Sequence, residues 1–167
     1  MCLALYIGSE NDLPEIELRK IPKEIFKLSE WPAVAQRFRV SALDAKQHVV
    51  RCHFSVPFVY FAGSYEGCSC GFNYGRGEFT EYANDKDHLL AAQESVAELV
   101  RYIRDHQVKE LYACSFNDES LPNETIRIVS IEDLASQTFV FKQRELIKLT
   151  MPPNYALEPT SPDGLAA

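Results

Sequence analysis

The sequence predicts an α+β fold: a largely antiparallel sheet with one principal helix, Asp87–His106, packed on it. Three observations lead there. Short apolar runs bounded by turn residues outnumber helical stretches. Most of these runs follow one another directly instead of alternating with helices, as a doubly wound fold would require. A single long segment carries a helical stripe.

In chain order, Cys2–Ile7 is short, continuous and closed by Gly8-Ser9-Glu10-Asn11-Asp12, which suits a buried strand. Glu15–Arg19 alternates charged residues with Ile16 and Leu18 and reads as an edge strand. Between Pro22 and Pro32, Ile25, Phe26 and Leu28 suit one helical turn, with Trp31 anchoring it. Phe38–Leu43 and His48–Phe54 are the next strand candidates, divided by a polar turn. In the second, Val50, Cys52 and Phe54 share one face, and Val49, Arg51 and His53 the other. Phe58–Ala62 follows, opened by Pro57, which cannot donate to a ladder.

In the helix, Leu89, Gln93, Val96, Leu99/Val100 and Ile103 form the inward stripe, broken at Gln93. Asn84, Asp85 and Asp87 supply capping and dipole-compatible side chains ahead of it. Glu94, Glu98, Arg101 and Asp105 form the solvated side. Lys109–Phe116 and Thr125–Ile131 are expected to pair antiparallel across an acidic link. Phe139–Phe141 and Leu146–Leu149 are the last strand-like runs. Residues 1–151 thus form a single domain, and 152–167, with four prolines, form a tail outside the core.

Seventeen basic against twenty-four acidic residues give a net charge of −7, without any basic run. That balance argues against a nucleic-acid partner, which needs clustered cations to neutralise phosphates. No stretch reaches the roughly 18 apolar residues of a membrane span, and the apolar start lacks a basic leader. A cytoplasmic protein with reduced thiols is expected. The five cysteines, an odd number, cannot all pair within one chain.

Chemistry concentrates in Gly63–Gly77, which holds five of the seven glycines together with Cys68 and Cys70. Glycine permits positive φ and close approach, so two thiols one residue apart can turn toward one point. One reading is a metal–thiolate site, zinc by preference, completed from Cys2, Cys52, His53 or Cys114. A second is a redox-active or nucleophilic thiol stabilised by backbone N–H groups. A third is simply buried cysteine acting as a small hydrophobe. The leading expectation is a site of Cys68, Cys70 and a third thiol, Cys2 or Cys114.

Cys2 also suits a separate role. With Met1 removed it carries a thiol beside a free α-amine, the arrangement of N-terminal nucleophiles. The class II glutamine amidotransferases share this start, but their substrate-binding segments have no counterpart here. The four histidines form no HxH or HxxxH pair; His53 could approach Cys68 or Cys70, and a solvent-facing strand position explains it as well. Asp118, Glu119 and Glu124 read as a solvated loop, with an acid/base pair or a hard-cation site as the functional alternative. Tyr60, Tyr65, Tyr74, Tyr82, Phe58, Phe61, Phe72 and Phe79 surround the cysteine run. They suit core packing, a pocket for a small-molecule ligand or a homodimer surface. Gly75-Arg76-Gly77 offers one cation to an anionic ligand.

The start Met1-Cys2-Leu3-Ala4-Leu5-Tyr6, the block Gly67-Cys68-Ser69-Cys70-Gly71-Phe72 and Glu110-Leu111-Tyr112-Ala113-Cys114 resemble an uncharacterised bacterial family of unknown function with a GCxCGF motif. That resemblance implies no activity and assigns no residues. The family core reads Gly-Cys-Gly-Cys-Gly-Phe, and here Ser69 stands in place of the middle glycine. The terminal stretch Ala156-Leu157-Glu158-Pro159-Thr160 to Ala167 is similar to tails of integron gene-cassette proteins. Such a tail would record how the gene travels rather than what the protein does.

Overall fold

Seven consecutive buried residues, Leu3–Ser9, form the first strand, β1, at the middle of the sheet. The computed structural model describes residues 2–17, 37–77 and 84–151. The expected turn at Pro22–Pro32 with Trp31, the aromatics Phe79 and Tyr82, and the tail from 152 onward lie outside them.

The remaining strands are β2 (Phe38–Ala42), β3 (Phe58–Ser64), β4 (Glu110–Ser115), β5 (Thr125–Ser130) and β6 (Glu145–Thr150). Among the described residues they form one six-stranded sheet in the order β2-β3-β1-β4-β6-β5. All neighbouring pairs run antiparallel except β5 and β6. The fold is α+β. One long helix, α1 (Lys86–Asp105), packs on the sheet, and a short one, α2 (Ile131–Ala135), follows β5.

Strand alternation sorts the core into two layers. Leu3, Leu5 and Ile7 face α1 together with Phe38, Val40, Ala62, Leu111, Ala113 and Ile147. Ala4 and Tyr6 face the other way with Phe61, Tyr112, Cys114 and Leu146, and Leu43 and Val50 cover them. β1 is apolar on both faces because both are covered, which explains its unbroken hydrophobic run.

α1 begins where expected. The Asp85 carboxylate accepts from the backbone N–H of Asp87 at 3.1 Å and of His88 at 3.2 Å, satisfying two donors of the first turn. Its buried face is rotated from the expected stripe. Gln93 is exposed and Leu89 only half-buried, while Ala91, Ala92 and Ser95 are buried. Small side chains let the end of β3 come close, and Tyr65 packs on Ala91 and Ala92. Ser95 Oγ accepts from Tyr65 N–H at 3.1 Å and lies 2.5 Å from the Arg37 carbonyl oxygen, to which it donates.

Three strand expectations are corrected. Gln47–His53 is a 3-10 helix rather than a strand. Within it only Val50 is buried, so it covers the second core layer with one apolar contact instead of joining the ladder. β4 and β5 do not pair with each other, because β6 lies between them. The link after β4 is long enough to pass over one strand position, and α2 lies in the crossover that a parallel β5–β6 pair requires. Phe139–Phe141 is not part of a strand; both aromatic rings fill the α1 side of the core. At the N-terminal edge Ile16 bridges Val40 of β2 through a reciprocal pair of backbone hydrogen bonds.

Leu99 has 0% exposure in this core, whereas Leu90 on the same helix is 55% exposed. Urea denaturation of Leu99→Ala is expected to show a loss of about 2–5 kcal/mol. Leu90→Ala should remain within about 0.5 kcal/mol of the parent. Equal losses would contradict the burial pattern described.

Candidate functional site

The chain leaves β3 at Ser64 and turns back sharply. Gly67 has φ +85°, a left-handed value that glycine adopts without strain, and its N–H donates to the Ser64 carbonyl at 2.9 Å. A Cβ on Gly63 would lie 2.7 Å from the Gly67 carbonyl oxygen, so a side chain there would obstruct the turn.

The returning Cys68-Ser69-Cys70 segment inserts between the end of β3 and the start of β1. Ser69 is fully buried. Its N–H donates to the Leu3 carbonyl at 3.3 Å. Its hydroxyl accepts from Leu5 N–H at 2.8 Å and donates to the Ala62 carbonyl at 2.6 Å. One hydroxyl thus bridges the two strands where they separate. This explains serine at a position where glycine would leave two buried backbone groups without that partner. The Leu3 N–H donates instead to Cys70 Sγ at 3.2 Å.

Three cysteines lie within electrostatic reach of one another here: Cys2, which is exposed, and the half-buried Cys68 and Cys70. The neighbouring Cys70 side chain is the main influence drawing the Cys68 thiol down from its ordinary value to about 7. Burial opposes the shift, the Cys70 backbone N–H reinforces it, and the Glu66 carboxylate opposes it. The Glu66 carboxylate lies 3.8 Å from Cys68 Sγ and accepts from the Tyr74 hydroxyl at 2.9 Å. Cys70 is pushed well above the usual thiol range, first by the neighbouring Cys68 side chain and then by burial. Such a pair titrates as a unit: the first proton leaves easily and the second is held. Arg39 also lies within electrostatic reach of Cys68, and burial lowers its own pKa.

Cys114 does not join this group. It faces the second core layer beside Ala4 and Tyr6, across the sheet from Cys70, and burial pushes its thiol up to about 12. Cys52 and His53 lie on that far side too. His53 stacks on Tyr112 with ring centroids 4.1 Å apart, and its Nε2 donates to the Glu119 carbonyl at 2.8 Å.

The metal reading does not fit this arrangement. Among the described residues no group of three or more His, Cys, Asp or Glu side chains could hold an ion.

Glu119 differs from the solvated-loop expectation. It is 8% exposed and accepts from the Tyr6 hydroxyl at 3.0 Å. Tyr6 is wholly buried, and its hydroxyl needs an acceptor that only the folded chain brings within reach. Glu124, by contrast, stays at the surface and pairs with Arg144 at 2.5 Å.

In comparison with known proteins, no family model matches the chain, and neither a curated protein nor a solved structure shows significant similarity to it. No helix among the described residues is long and apolar enough to cross a membrane.

Ser69→Ala removes the bridging hydroxyl and leaves the Leu5 N–H and the Ala62 carbonyl without it. Chemical denaturation should show a loss of about 1–3 kcal/mol. Ser69→Thr keeps the hydroxyl but adds a methyl group in a fully buried position, so it should also destabilise. A neutral Ser69→Ala would remove the bridge from the account.

Proposed function

We propose that this protein works through a nucleophilic thiol, with Cys68 attacking a disulfide, Cys70 resolving it and Cys2 guarding the entrance. The observation that carries this reading is the pair of half-buried thiols, Cys68 and Cys70, on a loop tied to the start of β1 by the Leu3 N–H bond to Cys70 Sγ at 3.2 Å. A thiolate is the attacking form, and the neighbouring thiol favours it near neutral pH.

The exchange balances as follows. Cys68 thiolate forms a bond to one sulphur of the substrate disulfide, and the S–S bond breaks. The departing sulphur leaves with the electron pair and takes a proton from water. Cys70 then loses its proton to water and attacks the mixed disulfide at Cys68, expelling the second substrate thiolate, which is protonated in turn. The substrate gains two electrons and becomes two thiols, while the protein becomes a Cys68–Cys70 disulfide. A small-molecule thiol reverses the cycle. A reducing compartment such as the cytoplasm belongs to the same reading, because free thiols persist there. The resemblance to an uncharacterised bacterial family adds no assigned chemistry, so the proposal rests on the thiols themselves.

A homodimer belongs to the same proposal. β5 ends the sheet among the described residues, and it presents Ile126 at 61% and Ile128 at 73% exposure. An unpaired strand edge with apolar side chains is a template for a second copy.

Alkylation by iodoacetamide, followed residue by residue with mass spectrometry, should show Cys68 reacting with a midpoint near pH 7. Reactivity rises with pH because the thiolate forms as pH climbs through that value. Cys70→Ala removes the neighbouring thiol and should move the midpoint up toward the ordinary thiol value of about 8.5. A midpoint that stays in place would defeat the assigned role of Cys70. For assembly, light scattering should give a dimer for the parent and a monomer for Ile128→Lys; a monomeric parent would refute the dimer.

A further inference from the structure

A second site lies away from the thiols, against one side of α1. Arg76 sits between Gly75 and Gly77, whose φ values of +65° and +54° lie in the left-handed region. A Cβ on Gly75 would lie 2.4 Å from Leu89 Cδ2, and one on Gly77 would lie 2.6 Å from Val140 Cγ2. These two turns carry Arg76 inward to 3% exposure. Its Nη2 donates to the Leu134 carbonyl at 3.0 Å and to the Ser136 carbonyl. Its Nε and Nη1 have no hydrogen-bond partner. Three N–H bonds of a guanidinium therefore lack an acceptor. Burial alone lowers its pKa to about 10, which leaves it cationic at neutral pH, with no carboxylate acting on it.

Arg76 lines a cavity of about 390 Å³ between α1 and the segment after α2. That volume falls in the range of small-molecule sites. Arg101 and Arg104 line it as well, and among the described residues no Asp or Glu does. Exposure falls from Arg101 through Arg104 to Arg76. Arg101 also pairs with Glu98 on the helix surface. Val96 and Val100 supply apolar wall, and the amides of Gln93 and Gln137 add hydrogen-bonding capacity. In a chain of net charge −7, a pocket whose described lining holds three arginines and no carboxylate, with Arg76 buried in its wall, stands out.

We propose that this cavity binds a small organic anion, its carboxylate or phosphate head drawn to Arg76 and its apolar body lying on Val96 and Val100. A buried cation without a counter-charge is unfavourable, and an oxyanion relieves it while leaving water. The site contains none of the thiols, so it stands or falls separately from Cys68.

Calorimetric titration of the full chain with benzoate, inorganic phosphate and neutral benzamide tests this. Benzoate should saturate one site, phosphate should compete with it, and benzamide should bind at least about tenfold more weakly. Arg76→Gln should abolish benzoate binding. Because that residue also ties down Leu134 and Ser136, it could unfold the protein, and a second position keeps the test decisive. Ala97 lines the cavity yet is exposed. Ala97→Asp should weaken benzoate about threefold or more at low salt, and Ala97→Lys should strengthen it comparably. Unsaturable benzoate, benzamide binding as tightly as benzoate, or an Ala97 pair without effect would overturn the proposal.

Discussion

β1 must bury every residue and still satisfy every backbone group, and the arrangement around it follows from that demand. Two of its N–H groups, at Leu3 and Leu5, point where β3 has already begun to diverge. They are met by a sulphur and a hydroxyl delivered from a loop more than sixty residues away in sequence. An unpaired buried N–H is costly, so the loop is tied to the sheet as firmly as a strand would be. The glycines on either side make that approach possible. Cys68 and Cys70 are thereby held against the end of the sheet.

The same sheet keeps two chemistries apart. On the α1 side, the half-buried Cys68 and Cys70 lie near the surface, and the neighbouring Cys70 draws the Cys68 pKa down. On the other side, Tyr6, Glu119, Tyr112 and Cys114 are closed off from water, and burial raises the pKa values of both tyrosines and of the thiol. Cysteine thus serves in two ways within one molecule. Cys114 is a packing residue whose thiol burial keeps neutral, while the pKa of Cys68 is drawn down by its neighbours. The difference lies in the donors around each sulphur, since both are removed at least partly from solvent.

Buried acids follow a consistent rule. Glu110 holds Ser55 through its N–H at 2.7 Å and its hydroxyl at 2.6 Å, and Glu145 pairs with Arg127 at 2.7 Å. Arg127 in turn lies over the Phe139 ring, 4.3 Å from its centroid. Each carboxylate that leaves water finds a donor in the protein. Arg76 breaks the rule from the opposite side, as a buried cation with carbonyl partners and no carboxylate. That imbalance sets its cavity apart from the structural ion pairs.

Local pattern alone determined the α+β class, the long helix and its Asp85 cap, the central strand, and the glycine-permitted turn that follows β3. Each depends on neighbours close in sequence: a periodicity, a capping side chain, a run of apolar residues, or clustered glycines. Tertiary structure decided the rest. Whether Cys2 or Cys114 meets Cys70 depends on which face of β1 the loop returns to, and alternation puts Ala4 and Cys114 on the wrong one. The parallel pairing of β5 with β6, the inward turn of Glu119 toward Tyr6 and the uncompensated charge of Arg76 depend likewise on partners brought together only by folding. Sequence spacing records that a side chain can ionise or donate, but its surroundings set the energy of doing so, and those surroundings are assembled from distant parts of the chain.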